Sequence, residues 1–543
     1  MTRKTIFNIV ASLLVTTTYG QTVEINEPRL VVNIVISGMR SVDIERYRDN
    51  YTQDGLRMLY DESLRYDNCQ YSYQQTTTPV SLSTLATGAQ PSTHGIAGYS
   101  WFDYVTNDQI DLINNPEVKN LEYTSPLGGY SAHNLFVPTI SETLLADSPK
   151  SKAVSVALNP ASAILMSGKS GTPFWFDQTT CKWSSSEYYI SELPSWVSYY
   201  NSTESDLDRV KLDWTLSLPS ILYVNSRYSA APVNSTLYEA IKISRREEYK
   251  VRNEKSYQQI ASRPIGNDVV VSFAKLAVIS MKLGGDEHVD ILNVCFDVAR
   301  NIVEEYGPES IEAEDMYYKL DKQIASLIRF TDSQIGNENV LYIVTSDHGS
   351  SPSVSLEPSR FNSRQLEVIL NGFLSARHGN ANWVLGCING AIYLNHNAIY
   401  QKGLSLSDMQ SEAATFTLQL QGVSHAITSS ALSSNYFGSG YAQKIQTGFY
   451  PRRSGDVVLN FMPNWIVSDN SKRSLSGSMY NYDRAVPLMI YSKNIAPLTV
   501  TRLIDPISIA PTIAHMVGVS EPAASEGEPL VELVIIKKER QDE

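Results

Sequence analysis

Between Val340 and Thr345 the chain runs Val-Leu-Tyr-Ile-Val-Thr and then stops at Ser346-Asp347-His348-Gly349. An apolar run of this length, bounded by a turn signal, reads as a central strand buried on both faces. Such strands belong to parallel sheets, in which ligands collect beyond the carboxyl ends. Asp347 and His348 are therefore expected at the rim of a crevice. A carboxylate and an imidazole side by side each offer a lone pair to a divalent cation, although the same dipeptide also occurs in ordinary loops.

The same grammar recurs along the chain. Strand-like runs cover Leu30 to Ile36, Lys152 to Val156, Val289 to Phe296, Asp456 to Phe461 and Val486 to Tyr491, with one more expected before Gln75 and another over Trp383 to Leu394. Helical patterns lie between them over 44–63, 268–283, 358–377, 405–421 and 507–517. After Gly307-Pro308, apolar side chains at Ala313, Tyr317, Leu320, Ile324 and Leu327 bury one face of a further helix. Alternation of this kind predicts an α/β fold, a mostly parallel central sheet flanked by helices. From Trp175 to about Ser262 the chain is instead rich in Tyr, Trp and Ser without helical period, and reads as a cap inserted over the sheet (175–262) between a first core part (21–174) and a second (263–535), with a charged tail at 536–543.

With 543 residues, 42% of them hydrophobic, the chain can bury a large core. Arg3 and Lys4 precede an apolar run from Ile6 to Val15, the pattern of a signal peptide over residues 1–20 with cleavage before Gln21. An exported protein, periplasmic or extracellular, is expected. No later segment reaches the length of apolar residues that a transmembrane helix needs. The formal charge of −13 argues against nucleic acid or an anionic membrane as partner. Cys69, Cys181, Cys295 and Cys387 are scattered and include no Cys-x-x-Cys, so no zinc ribbon is indicated; Cys295 reads as a buried thiol, and one disulfide among the others stays open.

Thr78 followed by Pro79 reads as an N-cap and first helical residue, which puts a hydroxyl at a helix amino terminus, where anions are favoured. Ser92 to Phe102 is expected as a loop near the site, and Asn159 to Gly171 is a stretch of small residues. Asp297 and Glu305 read as solvated or capping residues.

In order, Ile34-Val-Ile-Ser-Gly-Met-Arg40, Thr78 with Ala86-Thr-Gly88, His94-Gly-Ile-Ala-Gly98 with Trp101-Phe-Asp103, Tyr306-Gly-Pro308, Thr345-Ser-Asp-His-Gly349, Arg453-Ser-Gly-Asp456, Tyr482-Asp483 with Val486-Pro-Leu488, and Ile509-Ala-Pro-Thr512 resemble the alkaline phosphatase superfamily. The resemblance is to its nucleotide pyrophosphatase-like secreted alkaline phosphatases with a threonine nucleophile, over roughly 28–530. It implies a two-zinc site that hydrolyses phosphate esters through a phosphorylated threonine, two cations holding the attacking and leaving oxygens in line. Thr78 matches the nucleophile, and Asp347 with His348 match two ligands of the first metal. A third ligand of that metal, an Asp, is replaced by Ser37; the three ligand positions of the second metal hold Arg300, Glu304 and Ala485. The substrate-contacting Asn is Tyr99, and the Lys and Arg that contact the phosphoryl group fall on Asn159 and Ala161.

A framework kept while its ligands are lost implies a degenerate, catalytically inactive site: Thr78 a vestigial nucleophile, Asp347 and His348 residual metal positions without metal. No cofactor is expected, zinc at most weakly in one site. Arg300 is expected to stand in for the lost cation by bonding Asp347 or Glu304. The function that follows is binding of a protein partner in the cell envelope, with the aromatic cap from Trp175 to Tyr228 as contact surface. Two alternatives stay open: a weak single-metal phosphate monoester or diester hydrolase, and a binder of a small anion or sugar in the crevice.

Overall fold

Strand β1 (Leu30–Ile36) is buried along its whole length, and its side chains divide by parity. Val31 and Val35 enter one hydrophobic cluster, Leu30, Val32, Ile34 and Ile36 another. A strand with two apolar faces needs helices on both. The computed structural model, which describes residues 27–123, 125–203, 214–227, 254–352, 359–468 and 472–538, has that arrangement. The proposed signal peptide and the last five residues of the tail lie outside the described residues.

The sheet comprises β1, β2 (Leu64–Gln70), β3 (Ala153–Ala157), β4 (Thr172–Phe176), β5 (Trp183–Ser184), β6 (Asp290–Phe296), β7 (Val340–Thr345), β8 (Ala485–Tyr491) and β9 (Leu498–Val500), in the order β9-β2-β8-β7-β1-β6-β3-β4-β5. β7, β1, β6, β3 and β4 run parallel; β8 and β5 oppose their neighbours. The carboxyl ends of β1, β6, β7 and β3 thus open on one crevice. Because β8 is reversed, its first residue, Ala485, lies at that same edge.

One face is covered by α3 (Thr78–Thr87), α4 (Ile140–Asp147), α5 (Pro160–Ser167) and α9 (Ile509–Val517), the other by α1 (Ser41–Tyr47), α2 (Leu56–Glu62), α6 (Ile265–Met281), α7 (Asp297–Tyr306) and α8 (Ile311–Ile335). The single helix expected over 44–63 is two, α1 and α2, with a break in which Thr52 N and Leu56 N donate to the buried carboxylate of Asp321. That partner, some 270 residues along, was invisible to local periodicity.

The stretch Asn159 to Gly171 is not merely small residues but contains α5, with the Asn159 side chain accepting from Ala161 N as its cap. Trp383 to Leu394 is a hairpin rather than one strand. It turns at Asn389-Gly390, both at positive φ, in a four-stranded antiparallel sheet with its own core.

Of the segment expected to form a cap, Trp175 lies in β4 and Trp183 in β5, strands of the central sheet, and both are fully buried. Trp214 and Tyr223 are also buried, their polar tips donating to Asp315 of α8. These aromatics are packing rather than the contact surface expected of them. No disulfide joins the four cysteines, and all four are buried. No helix of the described residues is long and apolar enough to cross a membrane.

Candidate active site

Ser37 follows β1, Asp347 and His348 follow β7, and all three are buried. Thr78 is also buried and sits one position further in than expected: Thr77 occupies the N-cap, Pro79 the first turn, and Thr78 is already helical. Its hydroxyl is therefore not spent on capping and faces Ser37 and His348.

The Ser37 hydroxyl donates to Asp347 Oδ2 at 2.7 Å and Gly38 N donates to Oδ1 at 3.1 Å. Thr78 Oγ1 lies 3.3 Å from Ser37 Oγ and 3.2 Å from His348 Nε2. His348 Nδ1 is 2.6 Å from Gly349 O, and Nε2 is 3.6 Å from Asp347 Oδ2. The main chain beyond β7 is held by Gly349 N and Ser350 N donating to Asp483 O and Tyr482 O.

Arg300 is on α7, and its side chain turns inward. Its Nη1 donates to Thr78 Oγ1 at 2.6 Å and to Tyr99 Oη at 2.9 Å. It does not bond Asp347 or Glu304, as the sequence led us to expect. Ser37 and Gly38 already satisfy Asp347, and Glu304 pairs with Lys472 while its carbonyl accepts from Arg473 N and Ser474 N. Among the described residues no carboxylate lies within ion-pair distance of Arg300. Burial works against its charge, but Tyr99, Glu304, Asp297 and Asp347 around it more than offset that and hold it firmly protonated.

The remaining positions join the same set. Asn159 Nδ2 donates to Tyr99 Oη at 3.2 Å, so Arg300, Tyr99 and Asn159 form one chain of hydrogen bonds. Ala161 contributes only its backbone N–H, to Asn159. The Ala485 side chain has no atom that could bind a metal, and the residue pairs with Gln70 in the sheet.

Asp297, expected to be solvated or capping, is buried and accepts from Asn159 N at 3.1 Å and Ser162 Oγ at 2.7 Å; burial raises its pKa. The signal for it was available: Val298, Ala299, Ile302 and Val303 are buried at helical spacing, which makes 297–306 a helix and Asp297 its inward-facing start.

This donor set does not fit two zinc ions. One carboxylate and one imidazole remain at the first position, with hydroxyls from Ser37 and Thr78. At the second, a guanidinium nitrogen sits 2.6 Å from Thr78 Oγ1. A fixed cation repels a further unit of positive charge 4 Å away by about 4 kcal/mol at an effective dielectric of 20. Among the described residues no group of three or more His, Cys, Asp or Glu side chains is placed to hold a metal.

A mostly parallel sheet with a threonine at a helix start and an Asp-His pair beyond the central strand is the α/β architecture of an alkaline phosphatase-like fold. The chain belongs to the type I phosphodiesterase / nucleotide pyrophosphatase family, whose model matches residues 31–483, within the alkaline phosphatase superfamily. It is 26% identical over 522 residues to alkaline phosphatase PafA of Elizabethkingia meningoseptica, covering 93% of this chain and 94% of that protein. Alkaline phosphatase PhoV of Synechococcus elongatus is 27% identical, with 93% of each chain covered. A Myroides odoratus protein described as a calcium-transporting ATPase is 27% identical, over 94% of this chain and 95% of its own. The crystal structure of wild-type PafA superposes with a TM-score of 0.84 at 24% identity, covering 93% of this chain and 99% of that one, a likeness of fold.

Proposed function

We propose that this member of the family has left two-metal phosphoryl hydrolysis and is an exported protein, inactive toward phosphate esters, that acts by binding a protein partner in the cell envelope. The observation that carries the loss of activity is the Arg300 guanidinium 2.6 Å from Thr78 Oγ1; Arg300, Glu304 and Ala485 stand at the positions where the resemblance puts metal ligands. Phosphoryl transfer depends on charge neutralisation over several oxygens, and groups that act as a unit lose most of the rate when removed. Export rests on Arg3, Lys4 and the apolar run that follows them.

Metal analysis of the purified protein, combined with hydrolysis of p-nitrophenyl phosphate in excess zinc, tests this reading. Less than one equivalent of zinc and no turnover above a Thr78→Ala control are expected; stoichiometric zinc with Thr78-dependent turnover would overturn it. A second reading, a small-anion site in the crevice, draws on Arg300 having no carboxylate partner among the described residues. A rise in melting temperature with inorganic phosphate, abolished in Arg300→Met, supports it, and no shift excludes it.

A further inference from the structure

Strands β2 and β8 carry a second concavity, on the face of the sheet that α1 and α2 cover. Leu64 and Tyr66 of β2 enter the hydrophobic cluster of the opposite face, so alternation turns Arg65 and Asp67 towards α1 and α2. There a cleft of about 170 Å³ opens between Val42 and Glu45 of α1, Tyr60 of α2, Arg65 and Asp67 of β2, and Met489 of β8. An apolar cavity of about 150 Å³ holds a benzene ring, so the cleft has room for a side chain of about six heavy atoms.

The lining is part apolar and part charged. Val42 is 57% exposed, while Met489 is buried in the core beneath α1 and α2. Arg65 is already engaged: its Nε donates to Asp67 Oδ1 at 2.7 Å, its Nη1 donates to Tyr60 O at 2.8 Å, and its guanidinium lies 3.8 Å over the Tyr60 ring. Three oxygen groups remain without a hydrogen-bond partner among the described residues, namely the Glu45 carboxylate, Asp67 Oδ2 and Tyr60 Oη. Burial raises the Tyr60 phenol, Arg65 draws it back down, and Glu45 and Asp67 push it up again, so these charges lie around one hydroxyl. Two carboxylates stand against one guanidinium in the cleft, on a chain of net charge −13. Such a lining attracts a cation.

The shape of that cation follows from the groups left over. An ammonium offers three donors and no acceptor, and lysine carries it on a four-carbon stem that lies along apolar surface. A guanidinium gains most by stacking on an aromatic face, but Arg65, and Arg48 at 5.7 Å, already lie over the Tyr60 ring. We propose that this cleft is a contact point for the protein partner and takes a lysine side chain from its surface, the stem against Val42 and Met489 and the ammonium among Glu45, Asp67 Oδ2 and Tyr60 Oη. The inference rests on the reading that the chain acts by binding a protein, and it supplies the chemistry of that contact.

The test uses the full-length protein carrying carbon-13 in its methionine methyl groups, with the Met489 signal assigned through Met489→Leu. Nα-acetyl-lysine methylamide, which presents the side chain as a protein does, should shift the Met489 signal saturably. The norleucine analogue, with the stem but no ammonium, should not. Glu45→Gln, shown to be folded by circular dichroism, should weaken binding about 10-fold, in keeping with the worth of a hydrogen bond between charged groups. No shift, an equal shift with the norleucine analogue, or unchanged affinity in Glu45→Gln would overturn the proposal. Tighter binding of free lysine, whose carboxylate adds a partner for Arg65, would assign the cleft to a free amino acid and overturn it as well. Zinc-dependent turnover, the result that overturns the proposed function, leaves the Met489 signal unmoved, so the two readings fail separately.

Discussion

Ser37 shows how one side chain can make a buried acid tolerable without a cation. It donates to Asp347 Oδ2 while Gly38 N serves Oδ1, so the carboxylate keeps a donor on each oxygen. Ser37→Ala removes a bond to a charged group, worth about 1.5–3 kcal/mol, and chemical denaturation should register that loss. His94, beneath the helix that carries Thr78, is a different case. Its Nδ1 accepts from Ile96 N and its Nε2 donates to Thr84 Oγ1. Burial, helped by Arg453, pushes its pKa down from 6.5 to about 3. The native state thus refuses a proton that the unfolded chain takes. His94 costs nothing above pH 6.5, and stability falls by about 1.4 kcal/mol per unit as the pH drops from there towards 3. The difference in unfolding free energy between wild type and His94→Gln, measured from pH 7 to pH 4, should change with that slope; a constant difference would contradict the assignment.

At the scale of elements, the crevice depends on how closely β1 and α7 approach. Gly38, at φ +81°, is the point of contact: a Cβ there would meet Arg300 Cα at 3.1 Å and Cβ at 3.3 Å. Only glycine adopts this conformation freely. Gly38→Ala should cost about 1–3 kcal/mol in thermal or denaturant unfolding and push Arg300 off Thr78. Helix α7 also explains why Arg300 and Glu304 part company. They are four residues apart on one face, but Lys472 and the backbone of 473–474 capture Glu304, leaving Arg300 to the hydroxyls of Thr78 and Tyr99. Substitutions that look like independent losses in sequence are bonded to one another, Arg300 to Tyr99 and Tyr99 to Asn159, whose main-chain N–H in turn donates to Asp297.

Across the whole molecule, long-range carboxylates tie the described residues 214–225 to the α/β core. Asp315, fully buried on α8, accepts from Trp214 Nε1 at 2.6 Å, Ser217 N at 2.6 Å and Tyr223 Oη at 2.5 Å. Glu314 beside it accepts from Val224 N and Asn225 N, both at 2.7 Å. Asp315→Ala strands three donors, each of which costs about 1–3 kcal/mol when left buried and unsatisfied. The expected outcome is a marked drop in unfolding free energy with new protease cleavage within 214–227; an unchanged digestion pattern would mean that packing alone holds the segment.

Apolar runs of strand length and helix-period faces between them were enough to foretell the α/β class, since burial on two faces leaves a strand few other places to be. The motifs around Thr78 and Asp347-His348 located the crevice for the same reason: a parallel sheet directs its strand ends to one edge. The partners of each site residue were not legible. The inward turn of Arg300, the burial of Asp297, the break between α1 and α2 at Asp321 and the packing of Trp183 and Trp214 all depend on groups far away in the chain. Local sequence states which donors and acceptors a segment carries; only the tertiary structure, by removing water and bringing distant segments within 3 Å, decides which of them meet.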